Sequence, residues 1–380
     1  MDIRIVLVLL ASFTAFGNLY LAFIVVPAYL IEAGFSAVFA AAQNTVFAGA
    51  AVTLRFLFTP LVDRYRKWSL VLASAAFALA PLGLVWADSA ATITAVRILQ
   101  GFALALYPFS ANAFIADVSP SEQRGSNLGL LRMVIILSLI VGPPFAVWAV
   151  GIYGYQTLFV ALTLIGLVGL SPLLLLREPE HQHTRGNPLP LFKEVLKNRS
   201  IRPLLYATVL VGVAYGVILT FVPIYSLQLG VENYGVFFTV FAVSGILIGI
   251  LAGRLSDHHG RARLAKPAVA AFGLGTVIVG LLAVDNMIWL SAVLAGMGYA
   301  ASVTVLVAWL IDITQERLRA TALSLYENSL DVGITVGVFV FGVIVLLIAY
   351  GWSFAIMGLT VFVLGVTFLN YSERRQAETD

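Results

Sequence analysis

The 380-residue chain contains no cysteine, which excludes disulfides and thiol chemistry. Charge is scarce. Only 11% of residues are charged, against 61% hydrophobic, and the mean hydropathy is +0.98. Soluble domains run near 25% charged and about 45–50% apolar, so a soluble fold is excluded too. Histidine is also rare: His181, His183, His258 and His259 are the four, and all fall in polar loops. No HExxH, GxSxG or phosphate-loop pattern occurs. The stretch "EHQH" reads as solvated linker. No metal, no cofactor and no enzymatic activity is therefore expected, because an active site needs a nucleophile and base, or metal ligands, within reach. A net charge of +3 follows from loop placement and gives no reason to expect a nucleic-acid partner.

What the chain does have is apolar blocks of about 20 residues or more, the length that crosses a hydrocarbon core of about 30 Å. The pattern predicts an all-α membrane protein with twelve transmembrane helices, near residues 5–30, 38–60, 68–87, 91–115, 123–150, 155–176, 203–228, 235–256, 266–284, 288–313, 320–349 and 352–372. The first block runs past Pro27 with no small-residue cleavage site, so it is expected to span rather than to be removed. Several spans carry proline, at 27, 81, 108, 143, 172 and 223 among others, which is compatible with helices whose neighbours satisfy the freed carbonyls.

Alternate loops hold the basic residues: Arg64, Arg66 and Lys67; Arg124; Arg185, Lys193, Lys197 and Arg199; Arg261 and Arg263; Arg317 and Arg319; then Arg374 and Arg375. The opposite loops hold Glu32, Asp88, Glu232 and Asp285 and no Lys or Arg. Basic loops face the cytoplasm, which puts both chain ends there.

The chain is also a duplication. "FIADVSPSEQRGSNLGLL" matches "WLIDITQERLRATALSLY", pairing Asp117 with Asp312 and Arg124 with Arg319 at an offset of 195. Gly101 pairs with Gly296 and Gly142 with Gly337 at the same offset, Asp63 with Asp257 at 194, and Pro27 and Gly34 with Pro223 and Gly230 at 196. Two six-helix bundles follow, over residues 1–178 and 201–380. Residues 179–200 form a polar cytoplasmic linker in which "LFKEVLKN" suits a short amphipathic helix.

With these features the whole chain resembles the major facilitator superfamily. "GRLSDHHGRAR" is similar to that family's signature between the second and third helices of each half, with Asp257, Gly260 and Arg261 in register. The first copy, "TPLVDRYRKW", keeps Asp63, Arg64 and Lys67, while Thr59 and Arg66 stand where glycines are usual. "RILQGFALALYPFSANAFIADVSPSEQRG" resembles the fourth-helix motif through Arg97, Gln100 and Gly101, with Asp117 and Arg124 at its loop end. "LSLIVGPPFAV" resembles the fifth-helix motif of drug/proton antiporters at Gly142 and Pro143, and departs from it at Ser138, Ala146 and Val147.

The resemblance implies a monomeric secondary transporter in a cell membrane, the inner membrane of a prokaryote. Its two halves would rock around a site between them. It also implies that Asp63, Arg64, Lys67 and Asp117 with Arg124, and Asp257, Gly260 and Arg261, lock the inner helix ends. The plainer alternative is capped turns plus basic charge that sets topology.

Five charges fall well inside the predicted spans, away from their ends: Arg55, Arg97, Arg132, Glu327 and Asp331. Each costs on the order of 2.5–3.5 kcal/mol at mid-membrane, so such residues face a bundle interior and mark pathways. Arg55 lies eight residues before Asp63, Arg132 eight after Arg124, and Glu327 eight after Arg319. All three therefore sit about 12 Å inside their loop markers. Arg132 and Glu327 are repeat equivalents at offset 195. The resemblance makes the second helix a neighbour of the eleventh, which suits Arg55 to pair with Glu327 across the halves. Asp331 lies one turn deeper than Glu327 and on the same helix face. Asp331, then Glu327, are the candidates to bind a coupling proton. The alternative is a structural carboxylate. Arg97 belongs with them because its family counterpart is tied to proton-dependent transport. The alternative for Arg97 is a cross-helix hydrogen-bond anchor.

Polar and aromatic residues on the cavity-type helices are candidates for the substrate site. They are Asn18 and Tyr20 on the first, Gln100, Tyr107 and Asn112 on the fourth, Tyr215 on the seventh, and Tyr299 and Trp309 on the tenth. Such a mixture suits amphipathic organic molecules. Proton-coupled efflux of a small organic compound is the expected function, and proton-coupled uptake or exchange of a small organic anion is the alternative. A sensor on the same fold would give no flux.

Overall fold

Lipid offers no partner for backbone N–H and C=O groups, so long apolar segments satisfy them internally as helix. All regular structure among the described residues is helical. The computed structural model describes residues 2–87, 89–120, 123–179, 189–231, 234–281 and 287–377, and leaves out a few helix side chains, Asp63 among them. Asp88, Arg185, His181, His183, Glu232 and Asp285, read above as loop residues, lie outside the described residues.

In chain order the helices are α1 (Ile3–Glu32), α2 (Ala37–Arg64), α3 (Arg66–Val85), α4 (Ala90–Val118), α5 (Arg124–Leu174), α6 (Leu189–Lys197), α7 (Ile201–Gln228), α8 (Gly235–His259), α9 (Arg261–Val279), α10 (Met287–Asp312), α11 (Arg319–Leu347) and α12 (Tyr350–Ala377). Ten helices among the described residues are long and apolar enough to cross a membrane, with most of α5 counted once. α5 runs for 51 residues but breaks at Gly154, whose φ of 77° and ψ of 168° suit glycine alone. The two helices expected over 123–150 and 155–176 meet there.

Helix starts follow the sequence. Ser36 accepts from the Phe39 N–H at 3.1 Å, and Ser89 and Thr92 form a capping box at α4. Asp2 caps α1 by accepting from the Arg4 N–H at 2.8 Å. Its side-chain bonds to the Arg4 guanidinium hold the Asp2 carboxyl below its ordinary value.

The chain divides into two compact units, Met1–Arg185 and Gly186–Asp380. In unit 1, α1 packs on α5, α2 on α4, and α3 on both α4 and α5. In unit 2, α7 packs on α11 and α12, α8 on α10, and α9 on both α10 and α12. α6 lies against α11, with Val195 buried and Glu194 ion-paired to Arg317.

The internal duplication reappears in detail. Gly34 and Gly230 follow α1 and α7 with φ of 90° and 73°. Tyr29 donates its hydroxyl to the Leu84 carbonyl at 3.3 Å, and its repeat Tyr225 donates to Gly280 at 3.2 Å. The ring trio Tyr29, Tyr155 and Phe159 corresponds to Tyr225, Tyr350 and Phe354. A Cβ at Gly101 would sit 2.6 Å from the Phe47 carbonyl, and one at Gly296 would collide with the carbonyl of Phe241, the repeat of Phe47. These two glycines let α4 approach α2, and α10 approach α8, backbone to backbone.

Candidate functional site

The loop motifs acquire their geometry from helix ends. In unit 2, α8 stops at Gly260, whose φ of 92° turns the chain into α9. Arg261 then opens α9 and reaches three acceptors. It donates from Nε to Asp312 Oδ2 at 2.9 Å and from a terminal nitrogen to Ser256 Oγ at 2.6 Å, and it pairs with Asp257 Oδ1 at 2.5 Å. The start of α9 is thereby tied to the end of α10 and to the last turn of α8.

Unit 1 builds the same contact from an unexpected residue. Tyr65 occupies the joint between α2 and α3, with φ of −135° and ψ of 77°, where unit 2 has Gly260. Arg66 therefore does not replace the motif's glycine. It stands at offset 195 from Arg261 and donates from Nε to Asp117 Oδ2 at 3.1 Å. One residue is missing between Asp63 and Arg66 relative to the second copy, which is why Asp63 aligns at 194 rather than 195. Arg64 lies exposed over the Tyr65 ring, and Arg124 donates to the Ala116 carbonyl at 3.0 Å.

A second contact at the same helix ends involves residues that motif reading passed over. The Glu178 carboxylate accepts from the Lys67 backbone N–H at 3.1 and 3.2 Å, and Lys67 Nζ donates to the Leu174 carbonyl at 3.1 Å. Glu373, the repeat of Glu178, pairs with Lys266 on α9. Each pair ties the third helix of its unit to the last one.

Arg97 is fully buried in unit 1. It donates from Nε to the Gln43 carbonyl at 3.2 Å, from Nη1 to the Ala22 carbonyl at 2.8 Å and to Gln100 Oε1 at 2.6 Å, and from Nη2 to Asn44 Oδ1. The Phe47 ring lies 4.6 Å from its Cζ. Asn44 in turn donates to the Phe23 carbonyl at 3.0 Å. Arg97 thus joins α4 to α1 and α2 through carbonyl and amide oxygens. Unit 2 has no counterpart: the repeat positions of Gln43, Asn44, Arg97 and Gln100 hold Phe237, Phe238, Ala292 and Ala295.

The carboxylates of α11 sit beside its packing seam. Tyr326, Leu330, Gly333 and Gly337 are buried. Tyr326 donates to the Val303 carbonyl of α10 at 3.2 Å, and a Cβ at Gly337 would lie 2.5 Å from the Val213 carbonyl of α7. Glu327 and Asp331 each follow a seam residue by one position and share a half-buried face, with Thr335 one turn further on. Arg55 is buried at 7% exposure, its guanidinium 4.6 Å from the Phe109 ring, while Arg132 is exposed on α5.

Among the cavity candidates, Asn18 donates to the Phe77 and Leu162 carbonyls, and Tyr107 meets Ser12 at 3.1 Å with Phe16 and Phe77 around its ring. Both lie in the interior of unit 1. Tyr20 is buried against Phe16, and Asn112 donates to the carbonyl of Pro108 on its own helix at 2.7 Å. Tyr215 and Tyr299 stack with centroids 4.2 Å apart and planes at 7°, flanked by Phe241. Trp309 lies apart from them, donating its indole N–H to Gln376 on α12 at 3.0 Å. Pro143 is buried within α5, and a Cβ at Gly142 would meet no described heavy atom within 4 Å.

Comparison with known proteins agrees with this architecture. A family model described as Major Facilitator Superfamily matches residues 8–266 and 226–380. The chain is 24% identical to a staphylopine export protein of Staphylococcus aureus, covering 74% of this chain and 75% of that one. It is 25% identical to the multidrug transporter MdfA of Yersinia pestis, covering 81% and 78%. Among solved structures, a POT family transporter in complex with a thioalcohol-conjugated peptide superposes with a TM-score of 0.83 at 12% identity, covering 98% of this chain and 96% of that one. The nucleoside transporter NupG superposes at 0.78 with 13% identity, covering 98% and 99%.

Proposed function

The chain belongs to the Major Facilitator Superfamily and is a multi-pass membrane transporter rather than an enzyme, and on that premise we propose that it exports small amphipathic organic compounds in exchange for protons. The observation that carries the proposal is the Glu327–Asp331 stripe on a half-buried face of α11, held in place by the buried seam beside it. A carboxylate on that face that loads a proton on one side and unloads it on the other couples proton flow to substrate movement. The names of the export protein and the multidrug transporter, to which the chain is similar, support the outward direction.

The proposal includes twelve spans with α5 as two, both termini and the motif ends in the cytoplasm, and bundles over 1–178 and 201–380 flanking the linker 179–200. The basic loops support this orientation. It also includes a monomer in a prokaryotic inner membrane. Arg55 pairs with Glu327 in one state of the cycle and releases it in the other, leaving Asp331 as the proton carrier. Arg97 serves as a fixed anchor for unit 1, the role its carbonyl and amide partners support.

The buried Arg55 guanidinium favours the second reading, in which a small organic anion moves with protons. One experiment separates the two. Labelled cationic, neutral and anionic compounds are tested in proteoliposomes with and without a pH gradient. Gradient-driven movement of cationic or neutral compounds supports export. Movement of anions alone supports the alternative. Absence of flux for every class contradicts both.

A further inference from the structure

The contact between Glu178 and Lys67 fixes a cation at the edge of unit 1. Lys67 lies in the first turn of α3, beside the end of α5. Its Nζ donates to the Leu174 carbonyl at 3.1 Å and stands 4.8 Å from the centroid of the Trp68 ring. An ammonium held by a carbonyl and a ring is a placed charge rather than one swinging on its stem. Arg177 sits in the chain between Leu174 and Glu178, the two residues that touch Lys67, and so is carried to the same spot. It is exposed and makes no ion pair or hydrogen bond among the described residues. The Glu178 carboxylate is engaged by the Lys67 backbone N–H. Two cations therefore stand beside one carboxylate that is already in use.

Beside these charges the surface turns apolar. Trp68 is 52% exposed, and Leu72, one turn deeper on the same face of α3, is exposed as well. On α5, which packs against α3, Val168 is exposed, and Leu175 at its end is 81% exposed. Large apolar side chains left open on a membrane protein face hydrocarbon, and indole rings collect where hydrocarbon meets headgroups. Trp68 marks that boundary, with Lys67 and Arg177 at the polar level and Leu72 and Val168 below it.

The duplication separates this surface from the helix-end tie it grows from. The tie recurs in unit 2 as Lys266 with Glu373, but the repeat positions of Lys67, Trp68, Leu175 and Arg177 hold Ala262, Arg263, Asn370 and Ser372. Ser372 is buried and donates to the Ser200 carbonyl at 2.7 Å. Unit 2 thus keeps the tie without the cation–ring pair and without the second cation. Charge that only orients a loop needs no ring and no bare apolar face beside it. The order of cations, indole and apolar faces matches that of a phosphate, a glycerol backbone and acyl chains.

We propose that this edge of unit 1 binds an anionic phospholipid. Its phosphate lies between the Lys67 ammonium and the Arg177 guanidinium, and its glycerol and ester region lies against the Trp68 indole. Its acyl chains run along the faces of α3 and α5 that carry Leu72 and Val168. The lipid links the start of α3 to the end of α5 and so stabilises unit 1. This requires only a membrane protein, and depends on neither the direction nor the coupling of transport.

Full-length protein in detergent micelles is titrated with dioleoylphosphatidylglycerol. Bound lipid is counted by native mass spectrometry, and the melting temperature is followed in parallel. Dioleoylphosphatidylcholine, with the same chains and no net charge, and glycerol 3-phosphate, with the phosphate and no chains, are the controls. Saturable binding of the anionic lipid with a rise in melting temperature is expected. Binding is expected to be about fivefold weaker for the phosphatidylcholine and about fivefold weaker in Arg177→Gln, the loss of one basic contact at the membrane surface. Arg263→Gln, which removes the same charge from the matching corner of unit 2, binds the lipid as the unsubstituted protein does. No saturable binding, equal binding of the phosphatidylcholine, or equal weakening by Arg177→Gln and Arg263→Gln overturns the site. Glycerol 3-phosphate that competes at the same concentration shows a free-phosphate site and overturns the lipid assignment.

Discussion

Arg66 and Asp117 make in unit 1, through the same Nε and Oδ2 atoms, the contact that Arg261 and Asp312 make in unit 2, at 3.1 and 2.9 Å. Duplicated sequences diverge wherever a contact is dispensable. Here the joint residue changed from glycine to tyrosine and the spacing changed by one, yet the ion pair persists in both units. The side chains of Arg66 and Asp117 are 12% and 22% exposed, so the contact is partly screened and its value is chiefly geometric.

Replacing Arg66 with glutamine is accordingly expected to cost about 1 kcal/mol of stability or less. Transport is expected to fall severalfold, because the ends of α3 and α4 lose their fixed relation. Arg261→Gln is expected to act in the same direction. Melting temperature and initial transport rates in proteoliposomes check this. A large loss of stability with normal transport by the surviving protein would reverse the assignment.

Arg97 has the opposite balance. Its guanidinium is fully buried and serves oxygens on α1, α2 and α4. Arg97→Met leaves the Asn44 and Gln100 side-chain oxygens without that donor, and a loss of about 3 kcal/mol or more is expected. The readout is the yield of monodisperse protein and its melting temperature. A stable, well-behaved Arg97→Met protein that has lost only its pH-gradient dependence would instead assign Arg97 to coupling.

Two glycines from the motifs should behave differently. Gly101→Val drives side-chain atoms into the Phe47 carbonyl and is expected to destabilise by about 1–3 kcal/mol. Gly142→Ala meets no described atom within 4 Å, and alanine in a helix interior is favoured over glycine by about 0.5–1 kcal/mol. Gly142→Ala is therefore expected to fold at least as well as the unsubstituted protein. A comparison of melting temperatures decides both.

Much of the helix pattern was legible because lipid leaves the backbone few options. Apolar length and turn residues such as Gly34 and Gly230 mark helices and their ends. The repeat was legible through Asp117 and Asp312, which keep their spacing to Gly101 and Gly296. Arg66 was harder to read, because a single missing residue moves it onto the glycine column of the motif. The slip from 194 to 195 between Asp63 and Asp117 is the signal that finds it. Glu178 lies in the polar stretch after α5 and Glu373 in the polar last turns of α12, where composition suggests only solvated chain. The offset of 195 between them is the signal that pairs the two. Asn18, Tyr107 and Trp309 expose a different limit. A helix apolar all round carries no stripe that tells one face from another, so a polar residue on it gives no direction.

The central claim is that Asp331 carries the coupling proton, and one measurement tests it most directly. Asp331→Asn is reconstituted and substrate export is followed with and without an imposed pH gradient, alongside gradient-independent counter-exchange. The account predicts that exchange persists while acceleration by the gradient disappears. Full gradient dependence in Asp331→Asn would contradict it.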